Sequence, residues 1–127
     1  GSTWRNFGAT FGAFYAWGSA RAKPLMVSAT GSVEDPLDPG RKRGWYLDAA
    51  AALAGSMPRV RAVVLLDQGG RCDWRPDTSP ASMQGFVRFA RDPFFTGVSP
   101  APVAPSTTAR IAQGYPPLSV SNIRELK

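Results

Sequence analysis

The chain has 127 residues, enough for one small domain and too few for a complete (β/α)8 barrel, which takes about 200 residues or more. Its net charge is +6, but apart from Arg41-Lys42-Arg43 the basic residues are scattered, without the basic stripe and interleaved aromatics of a nucleic-acid surface. It has no histidine, which removes the commonest general base and metal ligand, and its one cysteine, Cys72, allows no internal disulfide.

Residues 3–22 are predicted to be a helix. Trp4, Phe7, Phe11, Phe14 and Trp17 recur at spacings of three and four, so they form one aromatic stripe that reads as core. Gly8, Gly12 and Gly18 weaken the helix and permit close approach of a neighbour. Pro24 disfavours helical geometry at Lys23, and Leu25–Ser28 follows as a short buried strand. The stretch from Ala29 to Gly40, with Gly31, Pro36 and Pro39, reads as loop. A helix is expected from about Arg41 to Gly55, with Trp45, Ala49, Ala52 and Leu53 on one face and Gly55 at the stop. Its basic start reads as a solvated turn, although three cations there oppose the helix dipole.

Val60 to Leu66 is the strongest strand signal. Its run Ala62-Val63-Val64-Leu65-Leu66 is apolar without alternation, as in a strand covered on both faces. Asp67 to Asp77 reads as a polar loop carrying Gly69, Gly70, a semi-buried Cys72 thiol and Trp74. Ser79-Pro80 opens another helix, Ser79 as N-cap and Pro80 at the first helical position, with Met83, Phe86, Val87 and Ala90 as its buried face. Asp92-Pro93 ends it, and Phe94-Phe95 are expected to pack back on the body. From Thr96 the prolines at 100, 102 and 105 mark an extended linker, 96–108. Apolar residues return in the tail, 109–127, which reads as an attachment element adding a strand or short helix to a partner. The chain thus divides into 1–95, 96–108 and 109–127. No internal repeat is visible, no apolar run approaches a membrane span of ~20 residues, and no secretion signal is read. Gly1-Ser2 reads equally as native or as a cloning scar.

The order is helix, strand, helix, strand, helix, and the strands begin about 35 residues apart at Leu25 and Val60. That spacing fits a crossover between parallel neighbours, and one βα unit of a barrel at about 30 residues. Only 19% of residues are charged, which points to surface covered by a partner.

Four pieces, in order, resemble family 26 glycoside hydrolases, typified by β-mannanases. They are the aromatic helix with Lys23-Pro24-Leu25-Met26-Val27, then Lys42-x-x-Trp45, and then Val60-Arg61-Ala62-Val63-Val64 with Asp73-Trp74-Arg75. The last is Asp77-Thr78-Ser79 leading to Phe86 and Asp92-Pro93-Phe94-Phe95. The resemblance covers roughly residues 3–95. It implies an α/β fold: part of a (β/α)8 TIM barrel, about its last two βα units, followed by the Pro-rich tail.

Retaining glycosidases need two carboxylates about 5–5.5 Å apart, a nucleophile and an acid/base. The resemblance places the nucleophile at Ala29, where the family has Glu, and the acid/base on an earlier strand absent from these residues. A methyl cannot attack an anomeric carbon, so no catalytic residue is expected. The family's strand-end aromatics are replaced by Leu65-Leu66, which reads as natural loss in a pseudoenzyme. The alternative is an engineered Glu-to-Ala change in an active glycosidase. A substitute site from Asp67 and Glu34 is set against Asp67 capping a loop and Glu34 being solvated. Ser28, Thr30 and Ser32 have no base at a recognisable spacing to activate them, and Gly69-Gly70 is too sparse for a phosphate cradle. Trp74 reads as a sugar platform or as a lid on the rim. Asp67, Asp73 and Arg75 are the polar contacts expected beside it. No cofactor or metal is expected.

Two functional readings follow. One is a catalytically degenerate glycosidase-like segment that binds polysaccharide, mannan by family. The other is a structural subunit of a larger assembly, such as a virion tail or cell-surface complex, attached through its tail. Both place the chain outside the cell or on the surface of an assembly. Both expect another protein chain to complete the sheet, because part of a barrel leaves strand edges unpaired. An active enzyme ranks third, its carboxylates supplied from elsewhere.

Overall fold

The structure, a computed structural model, describes residues 3–97; the tail 109–127 and all of the expected linker after Gly97 lie outside them. Asn6 opens the first helix, α1 (Phe7–Ser19): its side-chain oxygen accepts from the Ala9 amide at 2.7 Å. That cap leaves residues 3–6 outside the helix, so α1 starts later than predicted. It also ends earlier. The Arg59 guanidinium donates to the carbonyls of Ser19 (2.9 Å), Arg21 (2.7 Å) and Lys23 (3.3 Å), fixing a non-helical exit towards the first strand.

That strand, β1 (Leu25–Thr30), extends two residues beyond the predicted Ser28, so Ala29 and Thr30 belong to the sheet and not to a loop. Helix α2 (Arg41–Ala54) stops at Gly55, as expected. Its basic start is not simply solvated. Arg41 pairs with Asp35 and, at 3.2 Å, with Asp38, which offsets the unfavourable charge at the helix N-terminus. Strand β2 (Val60–Leu65) pairs parallel with β1. A short 3-10 turn (Pro76–Thr78) leads into α3 (Pro80–Ala90), where the Ser79 hydroxyl caps the Ser82 amide at 3.0 Å as predicted. The last helix, α4 (Pro93–Thr96), contains Thr96, expected as linker, and carries Phe94 and Phe95 back onto the body, with Phe95 5.0 Å from Phe89.

The described residues are therefore mixed α/β: two parallel strands and four helices. The pairing is irregular in a way that matters. Leu25 faces Val60 but Met26 faces Ala62, which leaves Arg61 extra on β2. Val27 faces Val63 but Thr30 faces Leu65, which leaves one extra residue on β1, at Ser28-Ala29. Such bulges re-aim side chains. Here the second one turns Thr30 to the interior, where alternation from Val27 would have placed Ala29.

The core joins Phe7, Val27, Trp45, Tyr46, Ala49, Leu53, Met57, Val60 and Phe89, which α2 links across to α1 and α3. Burying an aliphatic or aromatic side chain of this kind contributes about 1.5–3 kcal/mol. Three expectations of burial are corrected. The α1 stripe is only partly core: Phe7 is buried, Phe11 and Phe14 partly so, but Trp17 is 59% exposed. Strand β2 is not covered on both faces, since Val64 is half-exposed and Met26 on β1 likewise. The buried face of α3 is Ser82, Gly85 and Phe89, rotated from the predicted one, leaving Met83, Val87 and Ala90 exposed. Gly85 explains the rotation. A Cβ there would lie 2.9 Å from Arg43 Cα, so glycine lets α3 approach the α2 backbone on that side.

Candidate functional site

The two strands send their chains out side by side, because the Leu66 amide donates to the Thr30 carbonyl at 2.8 Å just past the sheet. Two loops leave from this end, 31–40 after β1 and 66–79 after β2. In parallel α/β sheets, ligands bind outside the carboxyl ends of the strands.

The second loop is folded back on itself by the Trp74 amide, which donates to the Gln68 carbonyl at 2.9 Å. The Trp74 indole rests on Gly31 of the first loop, where a Cβ would sit 3.1 Å from ring atom Cε3 and 3.8 Å from the Leu66 Cβ. One part of the ring is thus spent on the rim, and Trp74 remains half-exposed. On either side of it, Asp73 and Arg75 form a bidentate pair, Nε to Oδ1 at 2.9 Å and Nη2 to Oδ2 at 2.7 Å. Those bonds from Arg75 hold the Asp73 carboxyl down to about 2 and push the Arg75 guanidinium further up. Asp73 is therefore a carboxylate across the working pH range, and the pair is a fixed, planar set of donors and acceptors on the surface.

Asp67 is exposed at the end of β2. With Asp77 it borders a depression of about 320 Å³ floored by Leu65, Leu66, Met83 and Phe86. Ala29 is exposed too, but it lines a different groove, about 310 Å³, with Phe11, Phe14, Met26 and Val27. Trp74, Asp73 and Arg75 therefore share one loop, Asp67 borders the α3 side of the sheet, and Ala29 lies on the α1 side.

Glu34 is partly buried and not simply solvated. Its Oε1 accepts from Thr78 Oγ1 and Ser79 Oγ, both at 2.7 Å, so it is committed to the second loop and is not free to pair with Asp67. Behind it lies Lys42, fully buried on the first turn of α2. Its Nζ donates to the Arg75 carbonyl at 2.8 Å and to Thr78 Oγ1 at 2.9 Å, with the Asp73 carbonyl at 3.5 Å. Burial pushes this ammonium below its ordinary value, and the Glu34 and Asp73 carboxylates partly offset that. The hydrogen bonds are consistent throughout: Thr78 accepts from Lys42 and donates to Glu34, and Ser79 donates to Glu34 while capping α3. Next to this network, the Ser82 hydroxyl is buried with no hydrogen-bond partner among the described residues; it neighbours the Tyr46 phenol without a bond of good geometry.

The sequence reading named Glu34 only as a partner for Asp67 or as solvated, and it missed that Lys42 is buried and joined to Glu34 through Thr78. One signal was there: Lys42, Trp45, Ala49 and Leu53 fall on one helical face, at i, i+3, i+7 and i+11, so the lysine continues the buried stripe. Cys72, expected semi-buried, is exposed. Among the described residues no group of three acidic, cysteine or histidine side chains is placed to hold a metal, and no helix is long and apolar enough to cross a membrane. The site's indole, ion pair and exposed carboxylate offer an aromatic face with hydrogen-bond donors and acceptors beside it, and the Thr78 and Ser79 hydroxyls are engaged by the Glu34 carboxylate.

Neither protein-family models nor curated proteins compared with the chain match it.

Proposed function

We propose that this chain is a catalytically degenerate, glycoside-hydrolase-like segment, akin to the last two βα units of a family 26 barrel, that binds polysaccharide through its strand-end loops. The observation carrying this reading is the parallel pairing of β1 and β2. It brings loops 31–40 and 66–79 to one end, where Trp74 sits against Gly31 with Asp73 and Arg75 locked beside it. Ala29, in the place of the nucleophile, lies on the strand at a bulge and offers only a methyl group. The reading accordingly assigns binding without hydrolysis. Affinity electrophoresis of the full chain in gels containing β-mannan tests it. Retardation that Trp74→Ala abolishes is the expected result. No retardation, or release of reducing ends by the chain alone, overturns it.

A second observation favours an interaction subunit whose sheet another protein chain completes. Among the described residues each strand has a partner on one side only, and Met26 (55%) and Val64 (49%) are exposed apolar side chains on the sheet. Unpaired strand edges of this kind template further pairing. Sedimentation of the purified chain separates the cases. A concentration-independent monomer that binds mannan leaves the first reading alone, and an assembly without glycan affinity leaves the second.

A further inference from the structure

Lys42 is the one fully buried charged side chain among the described residues. Burying an ammonium is expensive, and a well-packed apolar residue of similar volume is often as stable or more so. A charge retained in such a place calls for a role other than filling space. Its partners define that role. Every acceptor it reaches belongs to residues 73–78, the segment that carries Trp74 and the Asp73–Arg75 pair. Through Thr78 it also meets Glu34, on the loop after β1. Helix α2 thus holds the second loop directly through Lys42 and links it through Thr78 to Glu34 on the first loop, which Arg41 also ties by its pairs with Asp35 and Asp38. The segment's other anchors are the Trp74–Gln68 bond and the Asp73–Arg75 pair within it, the Gly31 contact under the indole and the packing of the Pro76–Thr78 turn on α3.

We propose that Lys42 and Glu34 are a positioning pair that presets Trp74, Asp73 and Arg75 for the ligand before it arrives, an inference resting on the polysaccharide-binding reading above. Lys42 itself is too deep to touch a ligand. Its effect is to spare the complex the ordering of two loops, which otherwise lowers affinity.

The test uses the full chain with Lys42→Met, Glu34→Ala, Glu34→Gln and Thr78→Val, read by residue-level hydrogen exchange and by affinity for soluble β-mannan. In Lys42→Met and Glu34→Ala, amides in 31–35 and 73–79 should exchange about tenfold faster while the buried face of α2 is unchanged, since local opening is freed without global unfolding. Mannan affinity should fall by about tenfold in the same two variants. Glu34→Gln keeps an acceptor oxygen for Thr78 and Ser79, so it should restore most of both. Acceleration spread evenly over all helices, or no local acceleration, overturns the proposal. So does unchanged mannan affinity in variants whose loops have loosened. If Lys42→Met does not fold, Thr78→Val removes the shared hydroxyl without stranding a charge and decides the same question. If the unaltered chain does not bind mannan, the functional reading falls, and the exchange data still decide whether the pair fixes the loops.

Discussion

Gly31 and Trp74 are packed so closely that a single methyl would intrude: the Cβ that Gly31 lacks would lie 3.1 Å from the indole Cε3. The residue that follows one strand thus selects the pose of an aromatic ring in the loop that follows the other. Gly31 has no positive φ, so the requirement is one of space and not of backbone conformation.

Gly31→Val should therefore lift Trp74 from the rim. The measurable outcome is a red shift of the Trp74 contribution to fluorescence, isolated by comparison with Trp74→Phe. Because the contact lies on the surface, the unfolding free energy should change by less than about 1 kcal/mol. Loss of more than that with no spectral change would assign Gly31 to the core.

Gly85 meets backbone and not a flexible side chain, since its Cβ would come within 2.9 Å of Arg43 Cα and 3.0 Å of the Arg43 carbonyl oxygen. Alanine gains about 1 kcal/mol of helix propensity there but forces α2 and α3 apart. Overpacking should win. Gly85→Ala is expected to destabilise by about 1–2 kcal/mol, and Gly85→Leu by more, in chemical denaturation.

Arg59 ties the end of α1 to the start of β2 through three carbonyls. A cation at a helix C-terminus is also favoured by the helix dipole. Arg59→Met should cost about 1–3 kcal/mol, and hydrogen exchange should show the last turn of α1 fraying first. Arg59→Lys should recover only part, because an ammonium cannot span three carbonyls as a fork does.

The Tyr46 phenol, 1% exposed, is pushed up to about 12 by burial. The neutral form is the one that folding favours, so its contribution is fully present below pH 10 and is lost as pH rises from 10 towards 12. Lys42 has the opposite sign. Its lowered folded value means that its burial costs stability at neutral pH, a cost relieved as pH rises towards 10.5. Stability should thus hold or rise slightly up to about pH 10 and then fall by about 1–2 kcal/mol by pH 11.5. Tyr46→Phe should remove the fall and leave the rise, as followed by denaturant midpoints across that range.

Much of this architecture is legible from local chemistry. Ser79-Pro80 marks a capped helix start, Gly55 a stop, and Val60 to Leu65 a strand, because each depends on neighbours along the chain. The outer boundaries failed where a distant residue intervened. Arg59, 40 positions from Ser19, shapes the exit of α1. The bulge at Ser28-Ala29 depends on pairing with β2, so neither the length of β1 nor the exposure of Ala29 could be read from its own residues.

Residue periodicity and punctuation thus specified which segments are helix and strand and in what order, along with the loop bearing Trp74, Asp73 and Arg75. Only folding in three dimensions decided that the parallel strands expected from their spacing pair through compensating bulges, that α3 turns Gly85 inward, and that Lys42 is buried against a loop more than 30 residues away. The physical reason is one of range. Turn, cap and period preferences act within a few bonds of a residue, whereas desolvating a charge or seating a ring on a glycine depends on what another part of the chain brings to it.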